Sequence, residues 1–317
     1  MSVYTTSGEA VGVFRTDGTQ VWGGGSGPPP EPDPWPLPAS GTEISLTTYD
    51  GSDSTCHPSV VDMLAETGDV WNGYRWWLAD TPYVGGQDEA GSSIENPCVW
   101  GSNDRINWSE PSPGVNPLEP WPGGIYNSDT ELVWDPDGQR LVMYWRRSNE
   151  RIRAASSTDG SEWIAHGEVL VPPVAGLHVS PTVARVAAGD WRMWCLTESD
   201  VLRRYQAQSP VGPWTPMGDA LLLSEDPLAA WHGSVTSHKG VLIGVFDTRH
   251  GNAARPIVST DGGATFTVGP VVPNLNGYRT TLVASTRAGY IDSWTGTLGI
   301  SRPRYRLNPE RVWLDLL

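Results

Sequence analysis

Short polar openings alternate along the chain with runs of small, β-branched or aromatic residues, and five such units can be laid over one another. Residues 56–63 (CHPSVVDM), 127–134 (NSDTELVW), 178–185 (HVSPTVAR), 231–238 (WHGSVTSH) and 278–285 (YRTTLVAS) each join a polar opening to a strand-like run, at intervals of 47 to 71 residues. An aromatic-rich second run follows each: YRWWLAD (74–80), LVMYWRR (141–147), DWRMWCL (190–196), VLIGVFD (241–247) and AGYIDSW (288–294). Third runs follow in most units, at 95–102, 151–157, 201–209 and 254–260. Short runs of this composition predict strands rather than helices. A period of about 50 residues with some four strands per unit predicts an all-β chain, a five-bladed β-propeller of four-stranded blades. An open ring would leave bare sheet edges, so the first and last strands are expected to share a blade. Residues 43–49 (EISLTTY) and 311–317 (RVWLDLL) are the predicted partners.

Between the third and fourth runs a turn recurs: GSNDRINW (101–108), SSTDGSEW (156–163) and STDGGATF (259–266). Asp and Ser bond to their own backbone a few residues on, Gly supplies positive φ, and the closing aromatic drops into a core. This resembles the Asp box of β-propellers, so Asp104, Asp159 and Asp261 are expected to shape turns and not to do chemistry.

Residues 1–40 differ in kind. The stretch 10–22 (AVGVFRTDGTQVW) reads as two short strands around Asp17-Gly18, and 23–38 (GGGSGPPPEPDPWPLP) as a linker, flexible at first and then stiff. The predicted division is an anchoring arm over 1–22, a Gly/Pro-rich linker over 23–40 and the propeller over 41–317. A lone hairpin buries too little surface to be stable, so the arm is expected to fold against another protein.

Composition narrows the function classes. The 317 residues include 36 Gly, 28 Pro and 17 Trp, which suits short strands and many turns. A net charge of −15 with Lys239 as the single lysine excludes nucleic acid as a partner. Cys56, Cys98 and Cys195 have no metal-type spacing and are expected to be buried thiols. No apolar run approaches about 18 residues, so membrane insertion is not expected.

In a propeller the opening residues of the innermost strands converge on the mouth of the central channel. Here they are His57, Ser59, Asp129, His178, Ser180, His232, Ser234 and Arg279, with Tyr126, Trp231 and Tyr278 beside them. Flat aromatics next to hydrogen-bonding groups suit sugar rings. The predicted ligand-binding set is therefore His57, Asp129, His178, His232, Arg279, Tyr126, Trp231 and Tyr278. His57, His178 and His232 would make a three-nitrogen metal set, but no spacing on one element enforces it, so neither a metal nor another cofactor is expected.

The repeat, SPVGPW (209–214) and the HPSV and SDTELV openings resemble the five-bladed propeller glycoside hydrolases, the arabinanase, xylosidase and fructosidase group. That resemblance implies carboxylates at the first three blade openings. This chain has His57 at the first, Asp129 at the second and no acid in HVSPT at the third, with Glu95, Asp53 and Asp226 as loop carboxylates within reach. ENPCVWGSNDRINW and YNSDTELVWDPDGQRLVMYWRR, with the arm and linker, also resemble minor tail proteins of actinobacteria-infecting phages. This resemblance implies a virion tail-tip protein, assembled in the host cytoplasm, which contacts other tail proteins through residues 1–40. The expectation is a receptor-recognition propeller that binds a host cell-envelope glycan without catalytic residues. An active glycoside hydrolase of the same type is the alternative, and a purely structural propeller with a filled pocket the third possibility.

Overall fold

The computed structural model describes residues 2–4, 10–12, 44, 46–83, 95–120, 126–148, 151–172, 178–197, 201–224, 230–238, 240–248, 254–269, 278–285, 290–298 and 305–314. The linker over 23–40 and the Asp17-Gly18 turn lie outside them. In chain order the strands are β1 (Ser2–Tyr4), β2 (Ala10–Gly12), β3 (Thr55–Asp62), β4 (Trp76–Pro82) and β5 (Cys98–Ser102). Next come β6 (Asn127–Asp135), β7 (Arg140–Arg147), β8 (Arg151–Ser157), β9 (Ile164–Leu170), β10 (Val179–Ala187), β11 (Asp190–Leu196), β12 (Leu202–Ala207) and β13 (Thr215–Asp219). The last are β14 (Leu221–Leu223), β15 (Ala230–His238), β16 (Val241–Thr248), β17 (Ala254–Ser259), β18 (Thr265–Val268), β19 (Tyr278–Ser285), β20 (Tyr290–Leu298) and β21 (Tyr305–Leu314). Among the described residues one short helix, α1 (Met63–Thr67), starts at an Asp62 cap and ends at Gly68.

The fold is an all-β propeller with four-stranded blades, and its blades are less alike than the repeat predicts. Four sheets use consecutive strands: β3-β4-β5, β6-β7-β8-β9, β10-β11-β12-β13 and β15-β16-β17-β18, the last carrying β14 on its outer edge as a parallel strand. The remaining sheet is composite, in the order β19-β20-β21-β1-β2. Five equal blades are thus corrected to four blades and one sheet drawn from both ends of the chain. The inner strands β3, β6, β10, β15 and β19 pack in succession, and β19 returns to β3.

Ring closure also differs from expectation. β21 pairs with β1, Val3 opposite Leu314 and Tyr4 opposite Trp313, and β1 pairs with β2. β1 and β2 thus form a hairpin over 2–12, and β1 lies in a sheet of the ring. Among the described residues β21 has β20 and β1 as its neighbours. Ile44 and Leu46 instead insert as buried side chains among Val60, Trp76, Leu78, Trp100 and Val283.

Each core lies between blades. Trp77, Val99, Leu132 and Trp145 join the first to the second, Tyr144, Val183 and Trp191 the second to the third, and Trp194, Phe246 and Phe266 the third to the fourth. The predicted turns serve these cores. Asp261 accepts from Ala264 N–H at 3.0 Å and Thr265 N–H at 2.9 Å, and Asp159 from Ser161 and Glu162 N–H at 2.8 and 2.9 Å. Gly160 and Gly263 hold φ of 78° and 81°. A Cβ on either would lie 2.0 Å from Trp77 or 2.2 Å from Trp194, tryptophans of the preceding blade. All three cysteines are free and buried.

Candidate functional site

The five inner strands share a local distortion that builds the site. Their ladders skip register between Cys56 and Ser59, Ser128 and Glu131, Val179 and Thr182, Ala230 and His232, and Tyr278 and Thr281. His57, Asp129, Ser180 and Arg279 sit in these breaks with φ between 48° and 57°. Non-glycine residues in this region cost about 1 kcal/mol or more each and gather where function demands them. The consequence is to re-aim alternate side chains toward the axis.

Three groups meet there. One ligand atom each from His57, Asp129 and His232 lies within 4.8 Å of the others, and all three side chains are buried. Asp129 Oδ1 is 3.2 Å from His57 Nε2 and 3.7 Å from His232 Nδ1. Asp129 Oδ2 accepts from Arg146 Nε at 2.7 Å and from Ser180 N–H at 3.0 Å. Arg146 comes from the neighbouring strand, opposite Ser128 in the ladder. It also donates to Ser128 Oγ at 3.1 Å and to the Tyr126 hydroxyl at 3.2 Å, with its guanidinium 5.1 Å from the Tyr126 ring centre. His57 Nδ1 bonds to Thr81 Oγ1 at 2.7 Å, and His232 Nδ1 to Ser180 Oγ at 2.6 Å. Both imidazoles are thus oriented by a hydroxyl from outside the trio.

Charge is sorted within the trio. Burial lowers His57 to about 3 and His232 well below the usual range, partly opposed by Asp129, so both rings are neutral. Burial alone would raise Asp129, but Arg146, with the histidines and Arg279, more than reverses this and the carboxylate stays charged. Two neutral imidazoles and one carboxylate at this separation form a ligand set suited to a divalent transition-metal ion. For His57, whose Nε2 faces Asp129, the Thr81 hydroxyl on Nδ1 supplies the orienting outer shell that such sites use. Glu95 behaves differently: burial, reinforced by Asp129 and opposed by Arg146, raises it to about 8. Its backbone carbonyl accepts from Asn127 N–H at 3.0 Å, two residues before Asp129. Glu95 is therefore a protonated carboxyl beside an ionised one.

The predicted residues divide. His57, Asp129 and His232 come together, with Tyr126 behind Arg146. Trp231 is half-buried, its ring centre 5.8 Å from that of His232. His178 does not join them: its Nε2 bonds to the Tyr205 hydroxyl at 2.8 Å, so the three-nitrogen set is replaced by two histidines and an aspartate. Arg279 turns away from the mouth, donating to the Thr130 and Pro181 carbonyls and pairing with Glu131 at 3.2 Å. The Tyr278 side chain and Asp226 lie outside the described residues. Glu131, Arg146 and Thr81 were missed in the sequence, where nothing marks which strand faces which.

Beneath the trio a second tier of Ser59, Glu131, Thr182, Ser234 and Thr281 is hydrogen-bonded across blades. Below it lies a cavity of about 240 Å3 that reaches Asp62 and Arg185. None of the three trio side chains lines it.

No protein-family model matches the chain. A curated relative, the A type blood N-acetyl-α-D-galactosamine deacetylase of Flavonifractor plautii, is 33% identical over 120 residues, which is 35% of this chain and 14% of that protein's length. The crystal structure of an N-acetylgalactosamine deacetylase from F. plautii, in complex with blood group B trisaccharide, superposes with a TM-score of 0.71 at 19% identity, covering 86% of this chain and 94% of that one. A family 117 glycoside hydrolase of Zobellia galactanivorans gives 0.60 at 12% identity, covering 86% and 90%. A family 43 β-1,3-galactosidase with galactodeoxynojirimycin gives 0.61 at 11%, covering 88% and 99%. These likenesses establish the propeller fold shared with glycoside-hydrolase-type enzymes.

Proposed function

We propose that the protein is a carbohydrate-active hydrolase that holds a divalent cation on His57, Asp129 and His232 and removes the acetyl group of an acetamido sugar. The observation that carries this reading is the trio itself, two neutral imidazoles and one ionised carboxylate within 4.8 Å. A bound cation polarises a carbonyl and lowers the pKa of a bound water. Around it, the protonated Glu95 is the candidate proton donor to a leaving amine, Arg146 keeps Asp129 ionised, and Trp231 with Tyr126 offers aromatic surface to the sugar. The acetamido substrate class is supported by the deacetylase relatives. The setting is the one its sequence suggests, a phage tail tip with residues 1–40 toward other tail proteins and the channel mouth toward a cell-envelope glycan.

One observation favours a second reading. Asp129 is held low while Glu95 is raised to about 8, and a glycosidase needs two carboxyls pushed apart in this way. Calorimetric titration with zinc and incubation with N-acetylhexosamine-containing oligosaccharides separate these readings. Acetate release that requires the cation and disappears in Asp129→Asn is the expected result. New reducing ends without acetate would establish the glycosidase, and binding without either product would return the propeller to simple receptor recognition.

A further inference from the structure

The register breaks that aim the site residues carry a cost in backbone hydrogen bonds. Residues 129–130 and 180–181 have no ladder partner, because β6 resumes pairing at Glu131 and β10 at Thr182. A buried carbonyl that loses its ladder bond needs another donor. For Thr130 and Pro181 that donor is one side chain from another sheet: Arg279 gives Nη1–H to the Thr130 carbonyl and Nη2–H to the Pro181 carbonyl at 3.4 Å. The same Nη2 pairs with Glu131 Oε2 at 3.2 Å, and Arg279 is fully buried. Thr130 in turn donates its hydroxyl to the His57 carbonyl at 2.8 Å. The residues whose carbonyls Arg279 holds follow directly on Asp129 and Ser180, and Ser180 orients His232.

We propose that Arg279 is the positioning residue of the site: by tying the Thr130 and Pro181 carbonyls to the Glu131 carboxylate, it fixes the two breaks that present Asp129 and, through Ser180, His232. A planar guanidinium with several N–H donors in a fixed fork reaches all three acceptors at once. A lysine is a compact point charge and reaches fewer of them in that geometry. Glu131 supplies the counter-charge without which a buried guanidinium is costly. This inference rests on the trio being a cation site only for its metal-binding consequence. The geometric claim stands on the unliganded protein.

The test uses the full chain with Arg279→Lys, Arg279→Ala and Glu131→Gln, each checked for cooperative melting. In long-range 1H–15N spectra of the metal-free histidine rings, the His232 resonances of Arg279→Lys are expected to move, reporting a loosened Ser180 bond, while those of His166 on an outer strand stay in place. Cobalt(II) is expected to bind at least tenfold more weakly to Arg279→Lys and several-fold more weakly to Glu131→Gln, with an altered visible spectrum. Millimolar methylguanidinium should restore binding in Arg279→Ala and not in Arg279→Lys. Should Arg279→Ala fail to fold, the other two variants carry the comparison. Wild-type protein that binds no cobalt sinks the cation reading. Unmoved His232 resonances in folded Arg279→Lys sink the positioning role whatever the cobalt result.

Discussion

Asp261 and Asp129 are both aspartates held below the usual carboxylate range, and only one of them lies in a candidate site. Burial raises Asp261, and N–H groups of Thr265 and Ala264 with the Ser259 hydroxyl together outweigh it, all within four residues of the same turn. Burial raises Asp129 too, and what outweighs it comes from elsewhere: Arg146 on the next strand, the histidines of two other blades and Arg279 of the composite sheet. A low carboxyl pKa alone therefore says little about function. The origin of the groups that lower it separates a local turn, which serves its own backbone, from a convergence that a ring of blades has to hold in place.

The comparison breaks most readily at Glu95, the carboxyl that borders the convergence. Glu95→Gln keeps the shape and removes the transferable proton, so under the proposed deacetylase reading kcat for acetate release should fall by about 10²–10⁴. Cation affinity in the same variant should stay within about threefold of wild type, as calorimetry would show; a parallel loss of both would make Glu95 part of the cation set.

A smaller effect is expected at Asp80, where no converging charges offset burial. Burial lifts it from 3.8 to about 7, against the Trp100 indole N–H bond at 2.6 Å. The folded protein thus keeps a proton that the unfolded chain releases, and stability falls as pH rises from near 4 through 7. Asp80→Asn retains an acceptor for Trp100 and should flatten that fall, leaving the variant more stable than wild type above about pH 7 by roughly a few kcal/mol. Melting curves across this range would show it; a pH profile identical to wild type would remove Asp80 from the account.

The smallest effect belongs to the turn. Asp261→Ala loses its capping bonds and should cost about 1 kcal/mol, a shift of a few degrees in Tm, with cation affinity per folded molecule unchanged. Affinity lost without stability would overturn the distinction drawn between the two aspartates.

What the sequence disclosed follows the same divide. The strands, the turns and the opening residues were legible because each is local: a run of β-branched residues, a Ser-x-Asp-Gly offset, a polar residue before a strand. Placing His57, Asp129 and His232 together needed only the premise that equivalent openings converge. Arg279 and His178 were misplaced because their directions depend on partners on other strands, Glu131 and Tyr205, and on φ values that residue type does not announce. The pairing of β1 with the edge of β21 was not legible for a similar reason: a three-residue strand announces no partner.

The close approach of Gly160 to Trp77 and of Gly263 to Trp194 bears on how the molecule comes apart. In stacked repeat proteins each unit touches its neighbours through one face, and end units fray independently. Here the outer turn of one blade closes over the tryptophan of the preceding blade, so peeling a blade away exposes an indole that belongs to another. Loosening is thereby shared around the ring, and melting of the described blades becomes one cooperative event in which damage to a single turn is felt as a lower Tm for the whole.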